Sequence, residues 1–192
     1  MPTVQRSRSS RSQAFPAFPL RRPTQRVVRG DWRKRIHHRP DPGGGAGNGG
    51  RLSVAPHVLI VDDENAIRTI CRVNLETDGL NVAEAADGRE ALDAIRRQQP
   101  ELVLLDVMMP DVDGWNVAAE LAADPATREI PVVFLSARAA REDRVRAQEL
   151  GAVGYIVKPF DPVALGATVL DVLDRVRRGE REQLNRGLVE ME

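Results

Sequence analysis

The chain has 192 residues, 42% hydrophobic and 29% charged, with 28 basic and 28 acidic side chains. No apolar run approaches the ~20 residues that a membrane-spanning helix needs. A lone cysteine, Cys71, excludes an internal disulfide and a cysteine-based zinc site, and fits a reducing, cytoplasmic setting.

The zero net charge averages two unlike parts. Residues 1–56 carry 11 Arg and Lys34 against Asp31 and Asp41, a surplus of +10, whereas the remaining 136 residues carry 16 basic and 26 acidic groups, a balance of −10. Residues 1–55 form an Arg-, Pro- and Gly-rich arm whose apolar residues follow neither a period of two nor one of 3.6. A segment with no face to bury cannot offset its ordering entropy, so disorder is expected. The run Gly43 to Gly50 reads as a flexible tether. It also fits G-x-G-x-x-G, but a dinucleotide loop needs a strand before it and a helix after it, and the flanks are proline-rich. The Arg21-Arg22 pair is followed by no apolar stretch that would make it an export signal. The functional reading of the arm is contact with nucleic acid or another anionic surface; the plain alternative is an extension without a role.

From residue 57 the pattern changes. His57–Val61 is a continuous β-branched run ending at Asp62-Asp63-Glu64. Asn81–Ala85 is weaker and alternating, as in an edge strand. Leu102–Leu105 ends at Asp106, Pro131–Leu135 at Ser136, and Gly154–Val157 at Lys158. Short runs without alternation indicate strands buried on both faces. Helical stripes lie between them: Ile67, Ile70, Cys71 and Leu75; Ala91, Leu92 and Ile95; Val117, Ala118 and Leu121; Val145 and Leu150; Leu165, Val169, Leu173 and Val176. Gly79 and Gly151 fall where helix C-caps are expected. Five strands alternating with five helices predict an α/β fold, a doubly wound parallel sheet with helices on both faces.

In such a sheet, ligands bind beyond the carboxyl ends of the strands. Asp62, Asp63, Asp106, Ser136 and Lys158 therefore converge, although they span nearly the whole domain. Three clustered carboxylates repel one another unless a cation neutralises them, and hard, all-oxygen ligation suits Mg²⁺. Lys158 and Ser136 supply a charge and a hydroxyl for phosphoryl oxygens, so the set reads as a phosphoryl-transfer site with an aspartate acceptor.

The segments VLIVDDE, LVLLDVMMPDVDGW, VVFLSAR and GYIVKPF, in this order and spacing, resemble the receiver domain of two-component response regulators over about residues 56–178. The resemblance implies the CheY-like, flavodoxin-like fold and a signalling role in a phosphorelay. It implies Asp106 as the phosphorylated residue and Asp62 and Asp63 as the acidic pair serving Mg²⁺. Asp63, Asp106 and the backbone carbonyl of Met108 would be the direct ligands. Ser136 matches the switch hydroxyl, Lys158 the lysine of the site, Tyr155 the switch aromatic, Lys158-Pro159 the cis peptide, and Gly114 the glycine closing the acceptor loop. It further implies a histidine kinase or phosphotransfer protein as donor, a downstream target protein, and switching of the surface made by the fourth helix, fifth strand and fifth helix. Such a module catalyses only its own phosphorylation and dephosphorylation.

The stretch Gly151-Ala152-Val153-Gly154-Tyr155 departs from the family's usual acidic pair before the aromatic, on a face that many DNA-binding relatives use to dimerise. Residues 179–192 read as a short tail, too few for an output domain, so a stand-alone receiver is expected. Two other functions remain in view: a nucleic-acid-binding regulator acting through residues 1–55, and an aspartate-dependent phosphohydrolase. The latter needs an acid two residues after the nucleophile, where this chain has Met108. Asp111, Asp113, Gly114 and Glu120 match part of a calcium loop, but its first position would be Met109. Asp63 is a candidate N-cap for the first helix, Cys71 a small core residue, and Trp115 an exposed or half-buried anchor.

Overall fold

The computed structural model describes residues 55–190, so the expectations for the basic arm fall outside it. Strands β1 (His57–Val61), β2 (Asn81–Ala85), β3 (Leu102–Asp106), β4 (Val132–Ser136) and β5 (Gly154–Val157) appear where the apolar runs predict them. Helices α1 (Asn65–Thr77), α2 (Gly88–Gln98), α3 (Gly114–Ala123), α4 (Arg141–Glu149) and α5 (Pro162–Arg177) alternate with them, and a sixth helix, α6 (Arg181–Glu190), follows. All strand pairs are parallel, in the order β2-β1-β3-β4-β5.

The unalternating runs are explained by two cores, one on each face of the sheet. Leu59, Val61, Val103, Leu105 and Phe134 point to the side covered by α2, α3 and α4. Their neighbours Val58, Ile60, Leu102, Leu104, Val133 and Leu135 join Cys71, Leu75, Val169 and Leu173 on the α1 and α5 side. Helix starts are fixed by side-chain caps: Asp87 accepts from the Glu90 N–H, Asp113 from the Asn116 N–H, and Asp161 from the Val163 N–H. Gly79 and Gly151 follow α1 and α4 with φ of 85° and 77°, the left-handed turn that glycine adopts without penalty.

Four sequence expectations are corrected. The short tail read at residues 179–192 contains a packed helix over Arg181–Glu190, in which Leu184 and Leu188 lie four apart on one face and both are buried. Trp115 is neither exposed nor half-buried. Its ring packs 4.6 Å from that of Phe134, with the Arg146 guanidinium 4.7 Å above it. Ile70 leaves the buried stripe of α1 and is 43% exposed. Asp63 does not cap α1; the helix begins at Asn65 without a side-chain cap, and the Glu64 N–H donates instead to Asp62 Oδ1 at 2.9 Å.

Candidate functional site

The sheet order reverses between β1 and β3, since β1 leads on one side to β2 and on the other to β3. Connections from the two strands then diverge to opposite faces and leave a crevice at their carboxyl ends. Asp62 and Asp63 follow β1 there, and Asp106 ends β3. Carboxylate oxygens of all three lie within 4.8 Å of one another, with Asp62 and Asp106 buried and Asp63 exposed at the mouth.

Each acid has a distinct setting. Asp62 Oδ2 lies 2.6 Å from the Lys158 ammonium, while its Oδ1 accepts from the loop. Asp106 Oδ1 lies 3.2 Å from the same ammonium. Burial raises the Asp106 pKa above the ordinary carboxylate range and the Asp62 charge adds to this, whereas Lys158 and the Met108 N–H oppose it. For Lys158, burial alone would lower the pKa; the hydrogen bond to Asp62 and the charges of Asp106 and Asp62 outweigh it and hold the ammonium charged. Asp63 accepts no hydrogen bond among those found for the described residues and faces outward, where a cation would reach it.

The loops around these residues are held by backbone constraints. The Val107 N–H bonds to Leu135 O, the Lys158 N–H to Ser136 O at 2.7 Å, and the Gly114 N–H to Val107 O at 3.1 Å. A Cβ on Gly114 would fall on the carbonyl oxygen of Asp106, so only glycine lets α3 start so close to the acceptor strand. The Lys158-Pro159 peptide is cis. Ser136 is fully buried, and its Oγ accepts from the Arg138 N–H at 3.0 Å. Tyr155 is buried too, and its hydroxyl donates to the Arg138 carbonyl at 2.9 Å. Burial raises the Tyr155 pKa, and the nearby Ser136 hydroxyl acts in the opposite direction. Ser136 and Tyr155 are thus tied to the same short turn.

Arg68 is a residue that sequence reasoning missed. Its guanidinium donates to the Asp62 carbonyl at 2.7 Å and lies 3.5 Å from Glu84, tying the acidic loop to α1 and β2. The signal available was a basic residue one turn into the helix that follows the acidic pair. Val153 is buried in the α1/α5-side core, and a side chain at Gly154 would meet Val133. The two positions that lack the family's acids therefore belong to packed structure. Beside Lys158 opens an apolar groove of about 390 Å³ lined by Ile67, Ile70, Ala137, Pro159 and Phe160.

The response regulator receiver domain model matches residues 58–170, more than half of the chain. The chain belongs to this family. As a receiver domain it is 44% identical over 119 residues to the probable transcriptional regulator ycf27 of Porphyridium aerugineum, covering 62% of this chain and 48% of that protein. It is 38% identical over 123 residues to the DNA-binding dual master transcriptional regulator RpaA of Synechocystis, covering 64% and 51%. The chain spans about half the length of these curated relatives. Among solved structures, the chemotaxis protein CheY4 of Vibrio cholerae aligns with a TM-score of 0.59 at 31% identity, over 62% of this chain and 98% of that one. A putative response regulator from Chloroflexus aurantiacus aligns with a TM-score of 0.59 at 31% identity, over 63% and 99%. Receiver domains are signalling modules, and the five-stranded parallel sheet found here is the CheY-like fold expected from the sequence. No helix among the described residues is long and apolar enough to cross a membrane.

Proposed function

We propose that this receiver accepts a phosphoryl group on Asp106 from a phosphohistidine of a kinase or phosphotransfer protein, or from a small acyl phosphate. The observation that carries the reading is the gathering of Asp62, Asp63 and Asp106 oxygens within 4.8 Å, with Lys158 bridging Asp62 and Asp106. The donor set fits a hard divalent cation: three carboxylates share one crevice, and burial together with the Asp62 charge already pushes the Asp106 pKa upward. Asp63, Asp106 and the Met108 carbonyl would hold Mg²⁺, with Asp62 behind them. The ion would supply neutralisation of the charge on the incoming phosphoryl oxygens.

The protein's own residues do the rest. An Asp106 carboxylate oxygen attacks phosphorus, the P–N bond to the donor imidazole breaks, and the imidazole leaves with its electron pair. Lys158 offers its ammonium, and Ser136 its hydroxyl, to the transferred oxygens. Ser136 drawn toward the phosphate alters its tie to Tyr155, and through Tyr155 the surface of α4, β5 and α5. The groove beside Lys158, with Ile70 on its rim, supports a protein as donor by offering apolar contact next to the reacting carboxylate. The phosphohydrolase reading has no support here: Met108 stands where the second acid would be, with its side chain 53% exposed, and Asp113 is engaged in capping α3.

The decisive test is Mg²⁺-dependent labelling by an acyl phosphate, and binding of beryllofluoride, in the wild type and Asp106→Asn. Wild type is expected to take up one phosphoryl group and the variant none; undiminished labelling of the variant ends the assignment. The +10 balance of residues 1–56 supports a second reading, in which the arm contacts nucleic acid and the receiver regulates that contact. DNA binding that weakens with salt and disappears on deletion of residues 1–55 would support it, and absence of binding at low salt would remove it.

A further inference from the structure

The loop that carries Asp62 and Asp63 gets no support from a helix cap, since α1 begins at Asn65 without a side-chain cap. What fixes it is a set of bonds to Asp62. The Asp62 N–H donates to Ala85 O at 3.3 Å, its Oδ1 accepts from the Glu64 N–H at 2.9 Å, and its Oδ2 accepts from Lys158. Its carbonyl accepts from the Arg68 guanidinium at 2.7 Å. Neither the Asp63 N–H nor its exposed carboxylate makes a hydrogen bond among the described residues, so the direction of Asp63 is inherited from the backbone before it. That backbone is the Asp62–Asp63 peptide, which is planar. Holding its oxygen fixes ψ of Asp62 and φ of Asp63 together, and Arg68 is the group that holds it.

Arg68 is itself braced on several sides. Its side chain is 12% exposed, its second terminal nitrogen donates to Asn65 Oδ1 at 3.1 Å, and its Nε lies 3.5 Å from Glu84 Oε2. Glu84 projects from β2, and its Oε1 accepts from Arg72 Nε at 2.6 Å. A planar guanidinium spans such partners at once, whereas an ammonium on a flexible stem has no fork to do so. A charged donor also makes one of the stronger hydrogen bonds. Here that bond is made to main chain, while Lys158 sits on carboxylate oxygens of Asp62 and Asp106. A cation entering the crevice therefore competes with Lys158 and leaves the contact of Arg68 in place.

We propose that Arg68, braced by Glu84, is the positioning residue that sets Asp63 for a small divalent ion, and that it makes the site discriminate Mg²⁺ from Ca²⁺. The two ions differ in tolerance. Mg²⁺ requires near-octahedral oxygens at about 2.0–2.1 Å, whereas Ca²⁺ accepts about 2.3–2.6 Å in variable geometry. A carboxylate held to one direction favours the first ion, and one free to swing favours the second. This role rests on the reading of Asp63 and Asp106 as direct ligands.

The test compares Mg²⁺ and Ca²⁺ titrations, followed by amide chemical shifts, in the full chain as wild type, Arg68→Met and Glu84→Gln. The ions carry the same charge, so the ratio of their affinities is insensitive to the charge that a substitution removes. On charge alone Arg68→Met would tighten both ions and Glu84→Gln would weaken both, with the ratio unmoved. Positioning requires instead that Arg68→Met weaken Mg²⁺ binding about 10–100-fold, the usual loss when a group orienting a ligand is removed. Ca²⁺ should weaken distinctly less, so the ratio falls, and Glu84→Gln should lower it in the same direction by a smaller factor. An unchanged ratio in Arg68→Met overturns the proposal; should that variant fail to fold, the ratio in Glu84→Gln decides alone. Absence of Mg²⁺ binding to wild type would overturn the metal reading together with this role, whereas wild-type binding with an unmoved ratio overturns this role alone.

Discussion

Lys158 is held more closely by Asp62, at 2.6 Å, than by Asp106, at 3.2 Å. The lysine of the site is therefore anchored on the acid that is not the proposed acceptor, and the reacting carboxylate keeps an oxygen for other partners. One ammonium partly offsets two buried acids, and that arrangement leads to the first prediction.

Lys158→Met leaves Asp62 and Asp106 buried without their cation. Breaking a buried pair from one side costs about 3–5 kcal/mol, so urea unfolding without Mg²⁺ should show a loss of that size. Because the competing ammonium is gone, Mg²⁺ should bind this variant at least as tightly as wild type, and saturating ion should restore about 2–3 kcal/mol. Titration calorimetry alongside urea melts checks both. Weaker Mg²⁺ binding than wild type would contradict this account of the pocket.

Asp106→Asn should stabilise the metal-free protein at neutral pH. The folded Asp106 pKa lies above its ordinary value, so folding costs free energy while the group is ionised in both states. As pH falls through the raised folded value, the native state takes up the proton and the cost is relieved. Below the ordinary carboxylate value the group contributes nothing. A gain of roughly 1 kcal/mol would raise the melting temperature at pH 7 by about 2–4 °C for a domain of this size. The gain should shrink steadily toward pH 4, as followed by thermal melts in chelator.

Gly114→Ala places a methyl group on the Asp106 carbonyl oxygen. The neighbour is backbone of a buried strand and has little room to yield, so a loss of about 1–3 kcal/mol is expected. Displacing the end of β3 should also weaken Mg²⁺ binding several-fold. A variant that unfolds like wild type and binds the ion unchanged would show that α3 can start elsewhere.

Tyr155→Phe keeps the ring and removes the hydroxyl that reaches the Arg138 carbonyl. The expected stability loss is about 0.5–1.5 kcal/mol, the worth of one hydrogen bond. If beryllofluoride favours the state containing that bond, linkage requires its affinity to fall by up to about tenfold. Unchanged affinity in the phenylalanine variant would disconnect Tyr155 from the phosphate site.

Much of this protein was legible in the chain itself. Continuous apolar runs ending in Asp62, Asp106, Ser136 and Lys158 determined a parallel sheet with its polar residues at one end, because chirality and short connections leave few ways to stack such strands. The same rule implied that three carboxylates from distant positions meet. Tertiary structure alone decided how the charge is shared within the pocket, with Lys158 on Asp62 and Arg68 on the carbonyl behind it, since side-chain pairing across the sheet follows distances that no local pattern encodes. It also decided the fate of Trp115, drawn inward by Phe134, and of residues 181–190. Two leucines in ten residues are too weak a periodic signal to specify a helix; the face of α4 and β5 beneath them supplies the apolar hollows and carbonyl partners that make one form.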